Sequence, residues 1–579
     1  MFEITYLLFF LVASLLITVC LGGYMAKVFN YQPTLLTPIF EPIEKLSLYI
    51  TGIQSTGSQH WKQYAFDFLL FNLVCGFVTF LILSFQHLLP LNPLHLAGME
   101  PWQAFNTICS FVTNTNWQSY SGEVALSNFS QIAGITFMMI VGAVSGLAVC
   151  VGFLRGLTNR HSGNSGLGHF YQDFLKSLLY VFLPLLLVGS LFFISQGVPQ
   201  TLQQQVSVTA LEGAPQNIAF GPVASLLTIK QLGTNGGGFF NANSAHPFEN
   251  PNPLTNFIEI LMELAIPMGL VYMFGVWLKN RMQGWVIWGA MMAVFLSFLW
   301  MGNAFEQAGN PILSHLPSIS VGIDQQSSSL QSGGNMEGKE VRFGVLPSML
   351  FTVATTGTST GAVNNMHDSL TPIGGLVPLA DMMLNIIFGG VGVGLMGFLL
   401  YGIIAVFLTG LMVGRTPEIF GKKIEKPEII LASIAILLHP LLILVPTAIA
   451  TMNDFGLSSL NNLGPHGLSE ILYAYTSAAA NNGSAFAGLN ANTPWYNISL
   501  GIVILLGRYI SIIALLAIAG SLLSKTKMEP GPGTLPTNTL LFGGVWLGVI
   551  LIVGALTFVP VLVLGPLADQ LAMLNGTLF

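Results

Sequence analysis

A chain of 579 residues that is 53% hydrophobic and only 7% charged, with a mean hydropathy of +0.70, is not a soluble protein; a soluble domain is about 25% charged. The net charge of -6 is small and no basic tract occurs, which argues against a nucleic-acid partner. Cys20, Cys75, Cys109 and Cys150 all fall in apolar stretches without metal-ligand spacing, so they read as small hydrophobes rather than a disulfide framework.

Repeated apolar runs of about 20 residues or more, long enough to cross ~30 Å of hydrocarbon, predict an all-α polytopic membrane protein. In chain order the expected transmembrane helices are 5–23, 66–89, 128–152, 174–195, 256–278, 284–303, 377–411, 428–451, 496–523 and 539–563. The first has no basic segment ahead of it, and Lys27 follows it, so an uncleaved span with its N-terminus outside is expected. Four shorter apolar helices, 101–112, 223–232, 346–356 and 468–480, are expected between the spans. The seventh span would reach ~52 Å as one straight helix, well over the bilayer core. It contains "GGVGVGLMG" from Gly389 to Gly397, and glycine at that density is expected to break or loosen a helix.

Each short helix ends in small polar residues: "TNTNWQSY" from Thr113, "GTNGGGFF" from Gly233, "TGTSTGAV" from Thr356 and "NNGSAFAG" from Asn481. Taking Thr115, Asn235, Thr360 and Asn482 as equivalent, the separations are 120, 125 and 122 residues, the mark of an internal repeat. The expected organisation is a first helix and loop (1–64), four pseudo-symmetric repeats of span, short re-entrant helix, polar loop and span (65–155, 173–281, 284–415 and 427–524), and a last helix with its tail (537–579).

Non-helical backbone at membrane depth is tolerated only where it lines water or is buried in protein. Four such segments at one period suggest a shared centre, where carbonyl, hydroxyl and amide oxygens can replace a cation's hydration shell. No ring of Asp or Glu appears, which argues against a divalent cation there. The C-terminal ends of the short helices would favour a cation. One glycine-rich loop alone would more simply be a helix cap, and no Gly-Lys-Ser/Thr closes the run as in a Walker loop. The candidate ligands are Thr113, Asn114, Thr115 and Asn116; Gly233, Thr234, Asn235, Gly236 and Gly237; Thr358, Ser359, Thr360 and Gly361; and Asn481, Asn482, Gly483 and Ser484. In the second loop Thr234, Asn235 and Gly236 are expected at the ion, while Gly237 and Gly238 permit the bend.

Orientation follows from the basic residues: 14 of 18, among them Lys27, Arg155, Arg160, Arg415 and Lys525, fall in alternate loops expected to be cytoplasmic. The four polar loops then enter from outside, and both termini lie outside.

With these loops the chain resembles the potassium-binding A subunit of the Kdp-type potassium-transporting ATPase, related to the Trk, Ktr and HKT potassium transporters. "VTNTNWQSYSGE", "KQLGTNGGGFFNANSAHPFENP", "TGAVNNMHDSLTPIGG" and "SAAANNGSAFAGL" look like its four filter regions. Thr360 stands where cysteine is expected in some relatives. The resemblance implies that potassium is the transported ion and that this subunit selects it. It implies further that ATP is bound only by a partner P-type ATPase catalytic subunit, with small single-span accessory subunits and lipid completing the complex in a bacterial inner membrane. No "DKTGT" phosphorylation motif and no large soluble segment occur here, in keeping with a non-catalytic subunit. A stand-alone Trk- or HKT-like channel is the alternative. An intramembrane transferase or hydrolase would need a converging nucleophile or metal cluster, and none is visible in the sequence.

Arg508, mid-span in "ILLGRYISIIALL", is expected either to form a positive barrier below the filter or to pair with an acid or carbonyl. Gly389, Gly390, Gly392 and Gly394 are expected to form a flexible gate, or else a close helix contact. Gln118 either sets the outer vestibule or caps its loop. Lys230 would repel an ion and is expected to turn away towards an acid such as Glu249. Glu259, Glu263 and Asp381 read as structural, His246 and His367 as flanking the filter without metal-ligand spacing, and 304–343 as a solvated or cap-forming loop.

Overall fold

The computed structural model describes residues 2–53, 57–158, 166–314, 323–328, 331–412, 414, 416–528 and 536–577. Arg160, Arg415 and parts of the 304–343 loop lie outside the described residues.

Among the described residues ten helices are long and apolar enough to cross a membrane: Glu3–Val28, Trp61–Ser84, Ser130–Thr158, Phe170–Ser195, Pro253–Trp277, Arg281–Leu313, Val393–Met412, Lys426–Thr451, Pro494–Leu523 and Leu540–Leu574. Their burial is uneven in a way that decides the layering. The apolar windows of the third and fifth spans are each 89% buried, whereas those of the first and last are 17% buried. The third and fifth therefore form the centre, and the first and last lie at the periphery with few of their side chains buried. Among the described residues the regular structure is helical apart from two small antiparallel pairs, Gln205–Thr209 with Pro215–Ala219 and Glu418–Ile419 with Lys422–Lys423, and one isolated bridge between Lys339 and Asn365.

The helices that follow the polar loops start by a common device. Asn252, Thr371 and Thr493 each cap backbone N–H groups of the first turn with a side-chain oxygen, and Pro253, Pro372 and Pro494 occupy the first helical position. Proline there gives up an N–H that would have had no partner, and its fixed φ favours the turn. The third span has no such proline; Ser127 Oγ accepts the Ser130 N–H instead, at 3.2 Å.

The seventh expected span is not one helix over 377–411. It is two, Pro372–Leu384 and Val393–Met412, separated by irregular backbone. Asn385, Phe388, Gly389 and Gly392 have φ of 49°, 52°, 64° and 87°, in the left-handed region that an α-helix cannot contain. Gly389 and Gly394 approach so closely that a Cβ on either would collide with the other's Cα. The glycine run thus ends one helix, turns the chain and lets the next begin, and only the second piece is long enough to span.

Candidate functional site

The four short helices are Pro101–Val112, Val223–Leu232, Val345–Gly357 and Gly464–Ala479. All four end in the same backbone geometry. Asn114, Thr234, Ser359 and Asn481 turn left-handed, with φ of 65°, 48°, 49° and 53°. The next N–H in each case reaches back five residues: Thr115 to the Ser110 carbonyl at 2.9 Å, Asn235 to Lys230 at 2.8 Å, Thr360 to Thr355 at 2.8 Å, and Asn482 to Ser477 at 2.9 Å. This closure usually employs glycine, because other residues pay about 1–2 kcal/mol for a left-handed turn. Here the side chains serve instead as ties. Asn114 Nδ2 donates to the Gly233 and Thr234 carbonyls at 2.9 and 3.0 Å, and Thr234 Oγ1 accepts the Val391 N–H at 2.9 Å. Ser359 Oγ donates to Asn385 Oδ1 at 2.9 Å, and Asn481 Nδ2 to Thr115 Oγ1 at 3.0 Å. A glycine at these positions could turn the chain but could not bind the neighbouring segment.

Beyond the caps the loops meet backbone to backbone. A Cβ on Gly236 would stand 2.5 Å from the Thr115 carbonyl oxygen, 2.9 Å from the Gly483 Cα and 3.1 Å from the Asn482 carbonyl oxygen. On Gly361 it would strike the Asn482 carbonyl, and on Gly483 the Thr115 carbonyl. One residue from each loop, Thr115, Gly236, Gly361 and Asn482, therefore borders a single point. Side chains pin the ring from outside. Asn116 Nδ2 donates to Asn235 Oδ1 at 2.7 Å, Asn482 Nδ2 to the Thr355 carbonyl at 2.9 Å, and Trp117 Nε1 to the Ser484 carbonyl at 3.2 Å. The hydroxyls of Thr113 and Thr115 lie 2.8 Å apart and those of Thr358 and Thr360 2.6 Å apart. Thr115, Asn235, Thr360 and Asn482 are fully buried, and every group named is a neutral oxygen or nitrogen. Gln118 Oε1 accepts the Gly238 N–H at 3.0 Å, which fixes the second loop beside the left-handed Gly237.

The charged residues near the loops turn away from this point. Lys230 forms a fully buried ion pair with Glu249, as expected, and also donates to Ser244 Oγ at 2.9 Å. Glu249 Oε1 accepts the Phe240 N–H at 2.9 Å and so holds the segment leaving the loop. Glu259 accepts from Gln231 and Ser244 at 2.5 and 2.6 Å, and Asp381 from Thr356 Oγ1 at 2.9 Å. The His246 ring stacks on Phe240 with centroids 3.7 Å apart, and burial holds it below the usual histidine range. His367 Nδ1 lies 2.8 Å from the Tyr473 hydroxyl; burial and then Lys339 pull its pKa down to about 3, so the ring is neutral.

Next to the loops, on the Arg508 side, lies a cavity of about 90 Å³, bordered by Asn385, Tyr401, His439, Asn481 and Arg508. Arg508 is 7% exposed, and among the described residues it makes no hydrogen bond or ion pair. A Cβ on Gly146 would sit 3.0 Å from its Nη2 and 3.2 Å from the Val391 carbonyl. The guanidinium is thus beside the broken segment, and the packing role expected from a carboxylate or carbonyl partner is not seen. Asn385 and Val391, which join the break directly to the loops, escaped sequence reasoning; an asparagine just ahead of a glycine run was the available signal.

Fold and site define a class: a multi-pass membrane protein built around a buried, neutral meeting point of four polar loops. The chain belongs to the potassium-transporting ATPase A subunit family, whose family model matches residues 8–571. The potassium-transporting ATPase potassium-binding subunit of Delftia acidovorans is 52% identical to it over 537 residues, 93% of each chain. That of Geobacillus kaustophilus is 49% identical over 568 residues, covering 98% of this chain and 99% of the other. Among solved structures, the potassium transporter TrkH from Vibrio parahaemolyticus matches with a TM-score of 0.51 at 14% identity, over 89% of this chain and 98% of that one; this is a likeness of fold alone.

Proposed function

We propose that this chain is the potassium-binding and translocating subunit of an ATP-driven potassium uptake complex. The observation that carries the reading is the meeting of Thr115, Gly236, Gly361 and Asn482 at one buried point, in a member of this family. Carbonyl dipoles and neutral hydroxyls from four loops suit a monovalent cation, which loses its hydration shell more readily than a divalent one. The other candidate ligands, Thr113, Asn114, Asn116, Gly233, Thr234, Asn235, Gly237, Thr358, Ser359, Thr360, Asn481, Gly483 and Ser484, shape the filter and its ties.

An ion leaving the filter meets the cavity at Asn385 and Arg508. Arg508, with no counter-charge among the described residues, sets a positive barrier to straight passage and turns the ion sideways. The segment of Gly389, Gly390, Gly392 and Gly394, bonded to the filter through Val391 and Asn385, is the gate. The partner is a P-type ATPase catalytic subunit that alone binds ATP, joined by small single-span subunits. The complex sits in a bacterial cytoplasmic membrane, with both termini of this chain outside, and the four loop-bearing units act as pseudo-symmetric repeats.

The deciding experiment is potassium-stimulated ATP hydrolysis by the purified complex, compared with Gly236→Ala. Activity should vanish in the variant while the subunits still co-purify. If the isolated chain carries potassium rapidly across vesicles with no partner, the alternative of a stand-alone channel is correct instead.

A further inference from the structure

Away from the filter, between the segment that follows the third loop and the start of the fourth short helix, a polar pocket of about 520 Å³ is bordered by Asp368, His466, Asp569 and several asparagines. One ligand atom each from Asp368 and His466, which border it, and from the buried Glu470 behind them lies within 4.8 Å of the others. His466 Nε2 is 3.1 Å from Asp368 Oδ1, and its Nδ1 is 2.9 Å from Asp569 Oδ2. Phe486 lies nearly parallel to the imidazole, with centroids 5.9 Å apart and planes 15° apart.

We propose that Asp368, His466 and Glu470 bind a zinc-like transition-metal dication, with Asp569 orienting the imidazole. One imidazole and two carboxylates make a three-ligand set that leaves a fourth position open to water in the pocket, at metal–ligand distances of about 2.0–2.2 Å. The nitrogen donor selects a borderline cation over calcium or magnesium, which take oxygen shells of six or more. A carboxylate on the far ring nitrogen is the usual support for a metal-bound histidine, since it fixes tautomer and ring direction.

The oxygens are held in place before any ion arrives. Asp368 Oδ2 accepts the Gly488 N–H at 3.0 Å. Glu470, fully buried, accepts from the Asn461 and Asn462 N–H groups at 3.2 Å each and from Asn462 Nδ2 at 2.7 Å. Three carboxylates face one imidazole; hydrogen bonds from Gly488, Asn461 and Asn462 offset part of their charge, and a dication adds what a single protonated ring does not. Without metal the same side chains form an ion-paired clamp, and the test separates the two.

The test is a calorimetric titration of Zn²⁺ into the chelator-treated complex in detergent. One Zn²⁺ per chain is expected, lost in H466Q and in D368N. Asp569→Asn should weaken binding by about 10–100-fold at unchanged stoichiometry, as loss of an orienting group does. Co²⁺ in place of Zn²⁺ should give visible absorption bands that H466Q abolishes. No uptake by the wild-type complex, or equal uptake by wild type, H466Q and D368N, overturns the proposal. Should those two variants fail to fold, D569N decides, and wild-type affinity in it overturns the proposal. Binding is read directly, so its outcome is independent of the potassium reading.

Discussion

The side-chain amide of Asn116 donates to the side-chain oxygen of Asn235 at 2.7 Å, across 119 residues of sequence. Both residues are fully buried, so neither group could turn to water if the other were lost. Leaving a buried polar group unpaired costs about 1–3 kcal/mol, and 1.4 kcal/mol is a factor of ten in affinity. Asn116→Ala and Asn235→Ala should each raise the potassium concentration for half-maximal ATP hydrolysis about tenfold. The double variant should cost less than the two effects combined, because the partners share one bond. Strictly additive effects would show that the tie does not couple the loops.

Gly483 carries the backbone test. Its φ is 115°, and a Cβ there would strike the Thr115 carbonyl. Gly483→Ala should abolish potassium-stimulated hydrolysis while co-purification with the partner persists. Gly289, with open space around its Cβ position, is the control. Gly289→Ala should keep activity and raise stability by up to about 1 kcal/mol, from helix propensity. Equal activity in the two variants would remove the close approach as the reason for glycine at Gly483.

The short helices and the spacing of their ends were legible because both are local. Apolar runs too short to span, closed by small polar residues at separations of 120, 125 and 122 residues, leave few other readings. That Asn114, Thr234, Ser359 and Asn481 would stand at the left-handed turn was not legible, because their ties to Gly233, Val391, Asn385 and Thr115 are tertiary. The seventh span shows the same limit. Glycine density announced a break, but hydropathy alone ran the span through it, since the residues on both sides are apolar. Asp368, His466 and Asp569 are far apart in sequence, and nothing local draws them together.

Lys230 and Glu249 give a stability prediction. Removing one member of a fully buried ion pair leaves the other charge uncompensated, at about 3–5 kcal/mol. Lys230→Met should lower thermal stability in detergent by that much. Adding Glu249→Gln, which keeps an acceptor for the Phe240 N–H, should recover most of it. If the double variant is no more stable than the single, the ion pair is not the source of the loss.

The broken segment gives a kinetic prediction. Gly392 has φ of 87° and lies against Cys150, so Gly392→Ala must displace either the turn or the third span. The gating reading expects turnover to fall while the potassium concentration for half-saturation stays within about twofold, since position 392 itself packs on Cys150 and Gly146 and not on the four polar loops. Measuring both constants on one preparation checks this. Unchanged turnover would leave the segment a static turn.

Arg508 separates structure from function most cleanly, because the two readings predict opposite signs. A buried cation that has no counter-charge among the described residues is an electrostatic burden on the fold. Were packing its role, Arg508→Met should weaken the protein; as a barrier, its loss should leave thermal stability equal or higher. Transport should then fail in a specific way. Proteoliposomes holding the Arg508→Met complex should leak potassium without ATP, and the potassium moved per ATP hydrolysed should fall. Arg508→Lys keeps the charge but not the planar, five-donor head, so it should restrict the leak while restoring coupling only in part. Reduced stability with no leak and normal coupling would make Arg508 a packing residue and would require another barrier beside Asn385.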